Sequence, residues 1–161
     1  MPLDADFVAD CPYGPGGLLI DEILEIDVAK SFVRVRMPTH DDLPLTREQR
    51  AHPVRHPQHV SGGLMVHMTG MVAFVHSYYV LGMRHADGWV GYGAKIYSAR
   101  FRAFAKPGEP LVLECKATQV RKGETSVFAR YEFRFLQGET LVYEGEQSAM
   151  WMKVNETPPS E

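Results

Sequence analysis

Between Arg55 and Arg84 the chain carries no Lys, Arg, Asp or Glu, and within that stretch Ser61 to Leu81 (SGGLMVHMTGMVAFVHSYYVL) is almost wholly apolar. A run of ~18 uncharged residues is the usual flag of a membrane-spanning helix. This run also holds His56, Gln58, His59, His67, His76, Gly62, Gly63 and Gly70, and no Lys/Arg cluster flanks it as an orientation signal. A helix that is apolar all round is equally the buried core helix of a water-soluble domain, and that is the expectation. Ser61 stands where an N-cap belongs. Each glycine costs about 1 kcal/mol of helix propensity relative to Ala. Close approach of other backbone, to a helix enclosed on several sides, would offset that cost.

Strand signals surround this helix. Leu18 to Ile26 and Ser31 to Met37 read as two strands joined by a turn at Asp27 to Lys30. After the helix, Val90 to Phe101, Leu111 to Arg121, Thr125 to Leu136 and Thr140 to Lys153 follow in hairpin succession, with turn residues between them. In the third of these, Val127, Ala129, Tyr131, Phe133 and Phe135 alternate with Arg130, Glu132 and Arg134, so one face is apolar. The only large element available to cover that face is the helix. The fold class is therefore α+β, an antiparallel sheet wrapped around one long central helix. Residues 1–161 are read as a single domain, with a core from 11 to 154 and a frayed tail from Asn155 to Glu161.

Composition narrows the function classes. The chain is 161 residues long, 45% hydrophobic and 23% charged, which is ordinary for a globular protein and argues against disorder. A net charge of −3, without a basic run, gives nucleic-acid binding little electrostatic support. Cys11 and Cys115 form no disulfide framework and no C-x-x-C pair, and the N-terminus shows no basic region followed by an apolar run. A cytoplasmic location is expected, with no nucleic-acid or membrane partner.

The local anomaly is histidine. All seven (40, 52, 56, 59, 67, 76 and 85) lie between Met37 and Ala86, largely in a Pro-, His- and Asp-rich loop from Met37 to Val60. Loops of that length inside compact domains are usually functional or disordered. His52, His56 and His59 have metal-like spacing, but that spacing presents one face only on a helix, which Pro53 and Pro57 oppose. No metal or other cofactor is expected. His67 sits mid-helix, where an imidazole needs either a hydrogen-bond partner or a polar pocket. His76 lies nine positions further on, half a turn away, and faces the opposite side. Tyr78 is a candidate wall for an apolar ligand, although aromatics on a buried helix are more often plain core. Ser61, Gly62 and Gly63 open the helix, where free amides and the positive dipole end suit a developing oxyanion.

Several segments carry a family likeness. Pro12-Tyr13 with Leu18 to Asp21, His52-Pro53-Val54-Arg55-His56-Pro57, the helix opening at Gly62, Ala99-Arg100-Phe101-Arg102 and Lys106-Pro107-Gly108-Glu109 stand in the order found in one superfamily. The chain resembles the hotdog-fold proteins, in particular FabA/FabZ-like hydroxyacyl-ACP dehydratases and acyl-CoA or acyl-ACP thioesterases. In the dehydratases a loop His and a helix acid form the catalytic pair; here the loop positions fall at His52 and His56. The helix position falls at His67, and no Asp or Glu occurs from Ser61 to Leu81. His59-Val60-Ser61-Gly62 resembles the helix entrance of a fatty-acyl thioesterase branch. The resemblance implies thioester hydrolysis, with amides of Gly62 and Gly63 on the carbonyl, His59 and His67 acting on water and Ser61 orienting it. Asp41, Asp42 or Glu48 would supply a carboxylate from the loop. The alternatives are FabZ-like dehydration of a 3-hydroxyacyl thioester through His52 or His56, in fatty-acid or polyketide metabolism, and a non-catalytic acyl-binding protein. The resemblance also implies a homodimer or higher homo-oligomer, joined sheet edge to sheet edge with the site at the junction.

Overall fold

The computed structural model describes residues 1–154, so the tail read as frayed, 155–161, lies outside the described residues. Two short helices, α1 (Ala5–Asp10) and α2 (Pro15–Leu18), precede strands β1 (Glu22–Asp27) and β2 (Phe32–Met37). The central helix α3 (Gly62–Tyr79) follows a long loop, and after a single 3₁₀ turn (His85–Asp87) come β3 (Trp89–Phe101), β4 (Leu111–Lys122), β5 (Ser126–Gln137) and β6 (Thr140–Lys153). All six strands form one antiparallel sheet in the order β1-β2-β4-β5-β6-β3, so β3 lies at an edge.

The alternation in β5 decides how the sheet sits. Val127, Ala129, Tyr131, Phe133 and Phe135 are buried against α3 together with Val33, Val35 and Met37 of β2 and Leu111, Leu113 and Cys115 of β4. The opposite face is laced with ion pairs: Arg34 bridges Glu25 and Glu114 at 2.7 and 2.9 Å, and Arg134 joins Glu114 at 3.2 Å. One dry face and one wet face make the sheet curl around its helix. Leu64, Met65, Met68, Met71, Val72 and Val75 fill the space between them. Among the described residues no helix is long and apolar enough to cross a membrane.

The N-terminal segment differs from the sequence expectation. The strand expected from Leu18 starts only at Glu22, because Pro15 opens the one-turn helix α2 and Leu19 leaves it in the left-handed region at φ 57°. Ordered packing also begins before Cys11: Phe7 of α1 is 1% exposed and meets the rings of Tyr78 and Tyr79 at 5.2 and 5.5 Å. Only Phe7 of the six residues is buried, and so short a segment gives no periodic signal, so only tertiary contact marks α1 as a helix.

Helix α3 spans the expected stretch, and its Ser61 cap accepts from the Gly63 amide at 3.2 Å. Its glycines differ in their reasons. A Cβ on Gly62 would press on the Phe101 ring at 2.9 Å, whereas a Cβ on Gly70 would meet nothing within 4 Å. Gly70→Ala is therefore expected to stabilise the fold by about 0.5–1 kcal/mol, read as a raised urea midpoint at unchanged slope.

Candidate functional site

Two hollows open along the seam between α3 and β3. The larger, a cleft of about 530 Å³, lies beside the middle of α3 and the first half of β3. His67, Thr69, Gly70 and Phe74 of the helix face Gly91 and Gly93 of β3 across it, with Gln147 and Trp151 of β6 also on its walls. Gly91 is needed there, because a Cβ would collide with the Trp151 indole paired opposite it. The smaller hollow, about 200 Å³, adjoins the amino end of α3 and the far end of β3, lined by His59, Gly62, Met65, Phe101 and Phe104. The start of the helix thus borders open space.

The polar chemistry of the cleft rests on His67. Its Nε2 lies 2.8 Å from the Gly17 carbonyl, and its ring stands edge-on to Tyr13 at 5.2 Å. A carbonyl only accepts, so in the neutral ring Nε2 carries the proton and Nδ1 is left as the basic nitrogen. The short α2 segment, invisible as a helix in the sequence, is what brings that carbonyl to the imidazole.

His59 is held by the same logic. Its Nδ1 lies 2.7 Å from the Pro57 carbonyl, which leaves Nε2 as the basic nitrogen. Gln49 grips the backbone beneath it, donating Nε2 to the His59 carbonyl at 2.9 Å and accepting the His59 amide at 3.1 Å. Val60 N donates to Ala105 O at 2.9 Å, so just past His59 the loop is also tied to the segment that follows β3. The His59 ring stacks near Phe104 at 4.6 Å and His56 at 5.2 Å.

The other expected residues occupy different places. The Nδ1 of His52 accepts from the amides of Val54 and Arg55 at 3.2 and 3.0 Å, and His52 and His56 exchange backbone bonds of 2.7 and 3.0 Å. That nitrogen of His52 therefore serves the turn. The Ser61 hydroxyl accepts from Gly63, which occupies one of the two amides assigned to a substrate carbonyl and leaves that of Gly62. Tyr78 lies at the far end of α3, against Phe7 and under Arg84 (4.9 Å), and is absent from both hollows on the seam. Asp41, Asp42 and Glu48 line neither hollow, and Glu48 pairs with Arg47 at 3.3 Å. Among the described residues no group of three or more His, Cys, Asp or Glu is arranged to hold a metal ion.

Within one chain His59 and His67 open onto different hollows. Gln147, Phe101 and Phe104 escaped the sequence reading as site residues. A signal for Gln147 existed: it is the one non-aromatic polar side chain in the alternating row Tyr143, Gly145, Gln147, Ala149, Trp151.

No family model matches the chain. A curated relative, the 3-hydroxyacyl-[acyl-carrier-protein] dehydratase FabZ of Polaromonas naphthalenivorans, is 28% identical over 106 residues, covering 66% of this chain and 70% of its own length. Among solved structures, a thioesterase from Pseudomonas aeruginosa matches with a TM-score of 0.62 at 14% identity, covering 96% of each chain. A thioesterase from Haemophilus influenzae matches at 0.61 with 12% identity, over 93% of this chain and 90% of that one. A dehydratase heterocomplex from Xenorhabdus doucetiae matches at 0.60 with 16% identity, over 98% and 93%. A six-stranded antiparallel sheet curled round one buried helix, together with these likenesses, makes this chain a hotdog-fold protein.

Proposed function

We propose that the protein hydrolyses the thioester of an acyl-CoA or acyl-ACP, as a homodimer joined along β3. The observation that carries the reading is His67, an imidazole on the wall of a largely apolar cleft with its Nε2 proton tied to the Gly17 carbonyl. In the reaction a basic ring nitrogen takes a proton from water, the water oxygen bonds to the carbonyl carbon, and the C–S bond breaks. The thiolate then takes up a proton, giving free acid and free thiol. The Gly62 amide at the positive end of α3 supports the oxyanion.

The dimer follows from β3. It is a long edge strand whose Val90, Tyr92, Ile96, Tyr97 and Phe101 are exposed, a template for another strand. Antiparallel pairing of β3 with its copy about Lys95 sets Gly91 and Gly93 of one chain beside Ala99 and Tyr97 of the other. The His67 cleft of one copy then meets the His59 hollow of its partner, which assembles both bases and the helix end in one site. A cytoplasmic location belongs to this proposal and suits the two free thiols, Cys11 and Cys115.

The test is to incubate the protein with saturated and 3-hydroxyacyl-CoA separately. Thiol release from the saturated substrate is the expected result, and its absence refutes hydrolysis. The FabZ likeness supports dehydration as the second reading. New enoyl absorbance without thiol release would establish that one instead.

A further inference from the structure

Pro12 and Tyr13 line the larger cleft, on a segment with firm ends and a loose middle. Before it, the Asp10 carboxylate accepts the amides of His85 and Ala86 at 2.8 and 2.7 Å, and Phe7 is buried in the core. After it, Leu18 and Ile20 are buried. Between these anchors the backbone bonds are local, the amides of Gly17 and Leu18 each donating to the Gly14 carbonyl at 2.9 Å. Among the described residues a single hydrogen bond ties Pro12–Gly17 to a distant part of the chain, from His67 Nε2 to the Gly17 carbonyl at 2.8 Å.

The glycines of this segment divide by what they do. A Cβ on Gly17 would stand 3.0 Å from Cδ1 of Tyr13, so the aromatic ring and the carbonyl that holds His67 lie against each other. Gly14 and Gly16 have nothing within 4 Å of where a Cβ would stand, and neither lies in the left-handed region. This conformation does not need them; what they supply is backbone freedom. Leu19, where the segment rejoins the core, is held at φ 57°, a region that residues with side chains rarely adopt, and rotation there releases the strain. Tyr13 itself stands at the rim, 43% exposed, edge-on to His67 and 6.3 Å from the Phe74 ring.

We propose that Pro12–Gly17 is a hinged flap over the cleft, with Tyr13 as its door and the His67–Gly17 hydrogen bond as its latch. Opening swings the Tyr13 ring off the rim and takes the Gly17 carbonyl away from Nε2. Closing narrows the mouth and fixes the imidazole again. Entry to the cleft and the placing of its base are therefore one event, on the microsecond-to-millisecond scale of enzyme lids. The use of the flap rests on reading the cleft as the place that takes the substrate; the motion depends on no substrate and no particular reaction.

The test is NMR relaxation dispersion on the substrate-free protein, read at the amides of Tyr13, Gly14, Gly16 and Gly17 and at the His67 ring. All are expected to report one exchange rate and one open population. Gly14→Ala and Gly16→Ala are each expected to lower that population about two- to fivefold, by removing freedom from the open segment. Tyr13→Ala is expected to raise it about tenfold, the worth of a good aromatic contact, while Tyr13→Phe keeps the wild-type value. His67→Ala removes the latch and is expected to raise the open population of the flap at least about threefold. Unchanged amide shifts in the sheet show that each variant is folded. Flat dispersion profiles over the segment, different rates for the flap and the His67 ring, or a population unmoved by Tyr13→Ala and His67→Ala overturn the proposal. Failure of hydrolysis in the thiol-release assay, with the shared exchange observed, would fall on the reaction and leave the flap standing.

Discussion

His67→Ala lowers kcat for acyl-thioester hydrolysis by about two to four orders of magnitude, the range over which a positioned general base accelerates proton transfer. His59→Ala is expected to fall in the same range. The fold should survive both changes, since each ring and its hydrogen bond are only part-buried. The physical ground is the tautomer: a carbonyl on one nitrogen obliges the other to act as acceptor, at Nδ1 in His67 and Nε2 in His59. What separates this mechanism from one confined to a single chain is complementation. Neither variant alone has a complete site. Mixed dimers of the two contain one site with both imidazoles intact, so an equimolar, re-equilibrated mixture should recover about a quarter of wild-type activity. No recovery, with exchange of subunits verified, would show that the two bases do not meet across a β3 junction.

The second large effect concerns stability below neutral pH. His76 is fully buried, its Nε2 2.9 Å from the Ser31 hydroxyl and 3.2 Å from the Ser31 carbonyl, its Nδ1 3.3 Å from the Tyr131 hydroxyl. Burial pushes its pKa down to about 4 from 6.5, and the bond to the Ser31 backbone opposes only part of that. The folded protein therefore refuses a proton that the unfolded chain accepts between those two values. The resulting stability is complete above about pH 6.5, declines as the pH falls, and is gone below about pH 4, a loss of about 3 kcal/mol. Urea unfolding at intervals from pH 7.5 to 4 reads this directly. In His76→Gln, which keeps a neutral hydrogen-bonding group, the pH 7.5 value should drop but the slope below pH 6.5 should flatten by close to one proton. An unchanged slope would assign the acid sensitivity to other groups.

His76 also illustrates how the histidines divide. By spacing alone, His67 and His76 could only be placed on opposite faces of one helix. The structure turns His76 toward β2 and β5, where Ser31 and Tyr131 satisfy it, and His67 toward α2 and the cleft. Ser31 is held at φ 52°, and nothing in its local sequence announces that it will cap an imidazole forty-five residues away. The loop histidines separate in the same way. His52 is taken up by its own turn, whereas Gln49 and Ala105 fix the backbone of His59 so that its ring borders the helix entrance.

The sheet was legible because burial imposes a period of two, and β5 displays it without interruption from Val127 to Phe135. The helix was legible because a long charge-free stretch has to be enclosed, and Ser61 caps it as the sequence implies. The family resemblance rested on short motifs in the right order, and the fold bears it out. Less legible were α1 and α2, too short for periodicity and stabilised by Phe7 and Leu18 packing into the core. Helical spacing says which face of α3 Tyr78 occupies but not how far along the axis the cleft extends, and Tyr78 stands beyond its end.

By itself, then, the sequence determined what must be dry: one helix, one face of the inner strands such as β5, and therefore a sheet curled round a helix. Those are local, periodic consequences of burying apolar side chains. Only the tertiary structure decided which polar groups sit in the dry space with a partner and which without one. His67 meets a carbonyl fifty residues earlier and His59 rests on a glutamine from the preceding turn, while the buried Thr46 hydroxyl has no partner among the described residues. Hydrogen bonds depend on distances of a few tenths of an ångström between segments far apart in the chain, and no pattern along the sequence encodes those distances.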